Sequence, residues 1–160
     1  MSSPSMKREL PALVQSGLVL HTRRKLARAE LASFLAEVVR GVLRGRSCSC
    51  LITSDEELRG LNKQYRRKDY ATDVLSFPSG GAAGFAGDLA ISIDRAKEQA
   101  REHRHSLDDE LKILILHGAL HLAGLDHEDD EGQMARAEAR WRTRFRLPAG
   151  LIERTGAFRK

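Results

Sequence analysis

Residues 106–127 read SLDDELKILILHGALHLAGLDH, and this stretch predicts a buried helix around which the rest of the domain is arranged. Apolar residues occupy five of the six positions between Glu110 and His117. A helix that is apolar around most of its circumference belongs in a core rather than at a surface. We therefore predict a helix from residue 106 or 107 to about Ala123.

Three histidines in this stretch are spaced to bind one metal ion. His117 and His121 are four residues apart, so a helix places them one turn apart on one face. Gly124 can adopt the left-handed conformation that ends a helix, after which His127 can return to the same ion. A single histidine on an apolar helix is usually a core residue, but three in this pattern predict a site. Three protein ligands with an open fourth position are typical of catalytic zinc, so we predict one Zn²⁺ per chain.

The same spacing occurs in the HExxHxxGxxH motif of the metzincin proteases, glycine included. In those enzymes the glutamate after the first histidine is the general base for peptide cleavage. Here that position is Gly118, which can transfer no proton. The pattern therefore disfavours a metalloprotease, unless another carboxylate takes over that role.

The rest of the chain alternates between predicted strands and helices. Strands are predicted over residues 14–20, 48–53, 72–78 and 88–93. Further helices are predicted over residues 23–43, 54–65, 94–103 and 131–145. Ser54 and Glu57 predict a capping box, and Asp94 predicts the N-cap of the helix that follows it. The pattern indicates one α/β or α+β domain over residues 13–146, with a poorly ordered N-terminus (1–12) and a basic C-terminal tail (147–160).

Residues 79–87, SGGAAGFAG, form a glycine-rich segment between two predicted strands. Such a segment can cradle phosphate, but it lacks the GxxxxGK[ST] pattern and leads into a strand instead of a helix. A hairpin connection between antiparallel strands is the better interpretation.

The overall composition indicates a soluble globular protein with an anionic partner. The chain has 160 residues, of which 41% are hydrophobic and 31% charged. It contains neither an apolar run long enough to cross a membrane nor a secretory signal, so we expect a cytoplasmic protein. The net charge is +5, and basic residues cluster near residues 21–28, 65–68 and 140–146. In the last cluster, Arg140, Arg142 and Arg144 could contact such an anionic partner, although a helix that packs Trp141 and Phe145 inward explains them better.

The two cysteines, Cys48 and Cys50, lie two residues apart in a predicted strand. They share one face of that strand, and this geometry disfavours a disulfide between them. Metal ligation is a minor alternative, and we expect both to be small buried apolar residues.

Three motifs, in order along the chain, carry a resemblance to a known family. They are LNKQYRRKDYATDVLSFP (61–78), GDLAISI (87–93) and HGALHLAGLDH (117–127). On these motifs the chain resembles the YbeY-type single-strand-specific endoribonucleases, also described as ribosomal RNA maturation factors, over roughly residues 48–141. The resemblance implies a mixed four-stranded sheet with about five or six helices. It also implies a role in maturing the ends of small-subunit ribosomal RNA and in ribosome quality control.

The resemblance assigns roles to individual residues. His117, His121 and His127 match the metal-binding histidines of the family, and Arg66 matches an arginine regarded as important for activity. Two further residues, Asp73 and Ser76, lie in a strand that runs close to the family's site, and Arg67 stands where the family often has glycine. The implied partners are single-stranded RNA, ribosomal RNA, and the ribosome or its proteins, with no membrane.

The predicted chemistry is metal-assisted hydrolysis of a phosphodiester, with His117 and Arg66 as catalytic residues. Zinc can lower the pKa of a bound water and polarise a phosphoryl oxygen, while an arginine stabilises charge that develops on the phosphate. Asp126 and Glu128 are candidates for orienting an imidazole or transferring a proton. The nucleophile stays open between a metal-bound hydroxide and the RNA 2′-hydroxyl. A ribosome-assembly factor without enzymatic activity, holding a structural zinc, is the second functional class.

Overall fold

The computed structural model describes residues 17–66, 72–80, 84–126 and 129–155. Four strands lie in these ranges: β1 (Leu18–Leu20), β2 (Ser47–Thr53), β3 (Val74–Pro78) and β4 (Phe85–Ser92). The described ranges also contain six helices: α1 (Arg28–Gly41), α2 (Asp55–Arg66), α3 (Ile93–Glu102), α4 (Leu107–Leu122), α5 (Gln133–Arg144) and α6 (Leu151–Thr155). No helix within these ranges is long and apolar enough to cross a membrane.

The strands form one mixed sheet in the order β1-β2-β4-β3. Strands β1, β2 and β4 are parallel, and β3 pairs antiparallel with β4 at the edge. The predicted mixed four-stranded sheet is therefore confirmed. The antiparallel pairing also confirms that the glycine-rich segment joins a hairpin, although its residues 81–83 lie outside the described ranges.

The sheet separates two apolar clusters of unequal size. The larger cluster packs α1, α4 and α5 against one face of the sheet, to which β4 contributes Leu89 and Ile91. The smaller cluster covers the other face, where Leu58 and Leu61 of α2 meet Leu75 of β3. Eleven of the 16 residues of α4 are buried, which confirms the predicted buried helix, so this helix is the central element of the larger cluster.

Helix α1 starts later than predicted, at Arg28 instead of residue 23. The Arg24 amide donates to the Thr22 hydroxyl, which is a local turn that competes with helix formation. Residues 23–25 are exposed and basic, so they present no apolar face to bury. The predicted start was wrong because a local turn and three exposed basic residues occupy the positions of the predicted first turn.

The boundary between β4 and α3 also differs from the prediction. Ser92 is the N-cap of α3, accepting a hydrogen bond from the Arg95 amide, and Ile93 belongs to the helix instead of the strand. Asp94, predicted as this cap, accepts from the Asp55 amide and so caps the neighbouring helix α2. Ser92 takes the role because its hydroxyl reaches the first turn directly from the end of the strand.

The start of α2 confirms half of the predicted capping box. The Glu57 amide donates to the Ser54 hydroxyl at 3.1 Å, as predicted. The Glu57 carboxylate accepts from the Thr53 hydroxyl rather than from the Ser54 amide. The prediction of the second, reciprocal hydrogen bond of a capping box was therefore wrong. The cap still satisfies one amide of the first turn.

Part of the predicted C-terminal tail packs on the domain. Leu147 and Ile152 are buried in the larger apolar cluster. Arg142 of α5 holds Glu153 of α6 through two hydrogen bonds of 2.8 and 2.9 Å. The predicted disordered N-terminus and the last five residues of the tail lie outside the described ranges.

A buried ion cluster anchors α6 to the start of α4. The guanidinium of Arg154 donates to both oxygens of the fully buried Glu110, at 2.9 and 2.6 Å. His105 Nε2 lies 2.6 Å from the same carboxylate. Burial by itself raises the pKa of Glu110, but the hydrogen bonds and charges of Arg154 and His105 outweigh it and hold the pKa below its usual range.

We expect Arg154→Met to weaken the fold in a pH-dependent way. The pKa of Glu110 is lower in the folded chain, so the cluster stabilises the fold above the unfolded value of about 4.3. That contribution is lost as the pH falls through the folded pKa. The substitution should lower the free energy of unfolding at neutral pH by about 2 kcal/mol and flatten its decline below about pH 4.3. Denaturant titrations from about pH 3 to 7 measure both effects. Arg101→Met, at an exposed position of α3, is the control, and equal stability of the two variants would contradict the prediction.

Candidate metal centre

Helix α4 carries the first two predicted ligands, and its ends are well defined. At its start the Asp109 amide donates to the Ser106 hydroxyl at 3.0 Å. At its end Gly124 is left-handed (φ +100°), its amide donates to the His121 carbonyl, and the Leu125 amide donates to the Leu120 carbonyl. These two bonds form a Schellman motif, which stops the helix and turns the chain. The predicted left-handed conformation of Gly124, which ends the helix, is confirmed.

The rings of His117 and His121 lie side by side on one face of α4. Their centroids are 5.0 Å apart and their planes make an angle of 76°. The side chain of His117 is buried, and that of His121 is half-buried. The four-residue spacing therefore produces the shared face that the sequence predicts.

A buried carboxylate of α5 orients His117. Oε2 of Glu138 lies 2.8 Å from His117 Nδ1, and Glu138 is 1% exposed. A neutral imidazole that donates from Nδ1 to a carboxylate carries its lone pair on Nε2, the nitrogen that can then bind a metal ion. The contact with Glu138 therefore favours the tautomer that a metal ligand needs at Nε2.

The sequence interpretation missed Glu138 and named Asp126 and Glu128 for this orienting role. Asp126 is exposed, and Glu128 lies outside the described residues. A signal for Glu138 was present, because it occupies a position in the apolar face of α5. The buried residues of that face are Met134, Ala135, Ala137 and Glu138. A carboxylate in such a face requires a buried partner.

Gly118, at the position of the metzincin glutamate, faces the sheet. A Cβ there would lie 2.7 Å from Leu89 Cδ2, 3.2 Å from Val74 Cγ2 and 3.3 Å from Ser76 Oγ. The Ser76 hydroxyl also donates to the Gly118 carbonyl at 3.1 Å, tying β3 to α4. The structure leaves no room at this position for a glutamate side chain, so glycine here is a packing requirement.

The structure brings together only some of the other predicted site residues. Ser76 contacts α4 beside the histidines, whereas the Asp73 carboxylate accepts from Gln99 Nε2 of α3 at 3.1 Å. Arg66 is the last residue of α2, and its side chain lies outside the described structure. His127 also lies outside the described ranges.

The described part of the site fits zinc in its donor chemistry. Metal-binding histidines commonly donate their second ring N–H to a carboxylate, as His117 does to Glu138. Imidazole is also a ligand that zinc favours. Within the described ranges no group of three His, Cys, Asp or Glu side chains could hold a metal ion. These ranges include His117 and His121 but not His127, so the three-histidine site stays a prediction.

Both cysteines are free and buried, so the predicted absence of a disulfide is confirmed. Burial, followed by the charge of Asp88, raises the pKa of the Cys48 thiol to about 12. Burial likewise raises the pKa of Cys50. Thiols with such raised pKa values stay protonated at neutral pH, which agrees with their expected role as small apolar residues.

The predicted basic cluster of α5 contains two exposed arginines and one arginine that binds the C-terminal helix α6. Trp141 stacks on Phe145 at 5.5 Å, and both pack against the larger apolar cluster, as predicted. Arg140 and Arg144 are exposed, whereas Arg142 is held by Glu153. Any contact of α5 with an anion therefore involves Arg140 and Arg144 more readily than Arg142.

The sequence matches a known protein family over most of its length. The family model described as Endoribonuclease YbeY covers residues 20–146. The chain belongs to this family. The Endoribonuclease YbeY of Solibacter usitatus is 54% identical to it over 129 residues, which are 81% of this chain and 86% of the relative. That of Koribacter versatilis is 62% identical over 105 residues, which are 66% of this chain and 68% of the relative.

A solved structure supports the fold of this YbeY family member. The solution structure of TM1509 from Thermotoga maritima matches with a TM-score of 0.55 and 27% sequence identity. The match covers 78% of this chain and 85% of that chain. The resemblance inferred from three sequence motifs is therefore confirmed as family membership.

Proposed function

We propose that this chain is a zinc-dependent endoribonuclease that cuts single-stranded RNA in the cytoplasm. It would act in maturing the ends of small-subunit ribosomal RNA and in ribosome quality control. The observation that carries the metal part is the pair His117 and His121 on one face of α4, with Glu138 on Nδ1 of His117. Family membership supports the endoribonuclease part.

Different residues of the chain would bind the metal, orient a ligand and bind the phosphate at such a site. His117, His121 and His127 would hold one zinc ion. Bound zinc supplies a Lewis acid for a phosphoryl oxygen and lowers the pKa of water. Glu138 would hold the His117 ring through Nδ1, so that Nε2 is the atom that binds the metal. Arg66, at the end of α2, would donate hydrogen bonds to the phosphate as negative charge develops there.

The amino-acid composition supports an RNA substrate that is recognised through its sugar-phosphate backbone. Only 5% of the residues are aromatic, too few for an extended platform on which bases stack. The net charge of +5 favours phosphate contacts, which position a nucleic acid without reading its sequence. We therefore propose that the ribosome, or a ribosomal protein, contributes the choice of cleavage site.

Arg66→Ala tests the nuclease proposal. We expect the variant to keep its zinc and to cut a single-stranded RNA about 100-fold more slowly, because one donor to the developing charge is lost. Fluorescent RNA cleavage and metal analysis on the same samples measure the two quantities. The matched control is Arg101→Ala, an exposed arginine of α3, which should cut at the wild-type rate.

Two outcomes would count against the proposal. Wild-type cleavage by Arg66→Ala would remove the assigned role of this arginine. A wild-type protein that holds one zinc but never cuts RNA, even with ribosomes supplied, would favour the ribosome-assembly factor.

A further inference from the structure

The C-terminal segment reaches the candidate metal centre through the backbone of α6. The Ile152 amide donates to Glu138 Oε1 at 2.8 Å, while Oε2 of the same carboxylate bonds His117. Both oxygens of this buried carboxylate are therefore engaged, one by α6 and one by the histidine. A carboxylate held at both oxygens has little freedom to rotate.

Gly150, just before α6, packs directly on the same carboxylate. A Cβ at this residue would lie 2.6 Å from both Cδ and Oε1 of Glu138. The backbone of residue 150 thus forms one wall of the space that the carboxylate occupies. Any side chain at residue 150 would have to displace Glu138.

Helix α6 is itself firmly held. Arg154 binds the buried Glu110 of α4, and Glu153 binds both Arg142 of α5 and the Gly150 amide. These contacts fix the position of the Ile152 amide relative to α4 and α5. Helix α6 lies beyond residues 20–146, the part of the chain that the family model matches.

We propose that α6 is a positioning element of the metal centre, in which Gly150 and the Ile152 amide hold Glu138 against His117 and so set the orientation of that ligand. The proposal rests on the proposed function for its zinc, but the contact it describes exists without metal. Partners that orient a metal ligand typically contribute 10- to 100-fold to metal affinity.

Gly150→Ala displaces the carboxylate while removing no polar group. In the metal-free, ¹⁵N-labelled protein, we expect the His117 Nδ1–H resonance to shift or broaden in Gly150→Ala and in Glu138→Gln. In a chelator competition, zinc affinity should fall about tenfold or more in both variants. Cobalt substitution gives a third measurement, because its visible spectrum reports ligand geometry.

Two control variants separate positioning from simple loss of stability. Gly60→Ala makes the same substitution at an exposed residue of α2 with nothing within 4 Å, so it should leave the resonance and the affinity unchanged. Ile152→Ala leaves a cavity in the core but keeps the amide that bonds Glu138. It should therefore lower Tm clearly while changing zinc affinity little.

The positioning role is overturned if the His117 resonance of Gly150→Ala matches the wild type, or if zinc affinity simply follows Tm across all variants. Failure of the proposed function looks different. In that case wild-type protein takes up no zinc, or cuts no RNA, while the His117 resonance still responds to Gly150→Ala.

Discussion

His117→Ala is expected to lose its zinc and to cut single-stranded RNA at least about a thousandfold more slowly than the wild type. The substitution removes one of three predicted ligands, and a zinc ion at this site would supply several kcal/mol of charge stabilisation in the transition state. It also removes the imidazole that bonds Glu138, so a buried carboxylate loses one partner. Metal analysis, RNA cleavage and thermal unfolding on the same preparation measure the three effects.

Two further variants show whether the loss comes from the metal. His121→Ala removes a predicted ligand that does not hydrogen-bond Glu138, so it should lose zinc and activity with a smaller change in Tm. His103→Ala removes an exposed histidine of the segment after α3 and should behave as the wild type. Full RNA cleavage by a metal-free His117→Ala protein would falsify the metalloenzyme proposal.

Gly118→Glu, which restores the metzincin motif in sequence, is expected to destabilise the fold by at least about 4 kcal/mol and to create no peptidase. The new side chain would start 2.7 Å from Leu89 Cδ2, in a closely packed contact between α4 and the sheet. None of the described atoms nearest to the added Cβ is cationic, so the buried carboxylate would gain no ion pair from them. Denaturant titration measures the stability, and a peptide cleavage assay tests for the new activity.

Gly60→Glu is the matched control for Gly118→Glu. It makes the same substitution in a helix, at an exposed position with nothing within 4 Å of the added Cβ. We expect its stability to lie within about 0.5 kcal/mol of the wild type. Wild-type stability of Gly118→Glu would show that α4 and the sheet can separate at this residue.

Much of the fold followed from local patterns. The sequence predicted that α4 is rich in apolar residues, that it starts next to Ser106 and that it ends at Gly124. These features could be predicted because a helix and its caps depend on residues a few positions apart. The errors occurred where two local signals competed. Thr22 delayed the start of α1, and Ser92 replaced Asp94 as the cap of α3.

The sequence by itself determined how the two predicted ligands of this protein pair. The rings of His117 and His121 come together because helical geometry brings residues four apart onto one face, whatever the rest of the chain does. It also determined the turn at Gly124, since the left-handed conformation there is a property of a single residue.

Only the tertiary structure decided what surrounds that pair. Glu138 lies 21 residues after His117 along the chain and reaches it because α5 docks on α4. The Ile152 amide reaches the same carboxylate because ion pairs fix α6 in place. Gly118 is required by the distance between α4 and β4. These contacts depend on how separate elements pack, and no periodicity within one element encodes the distance between two of them.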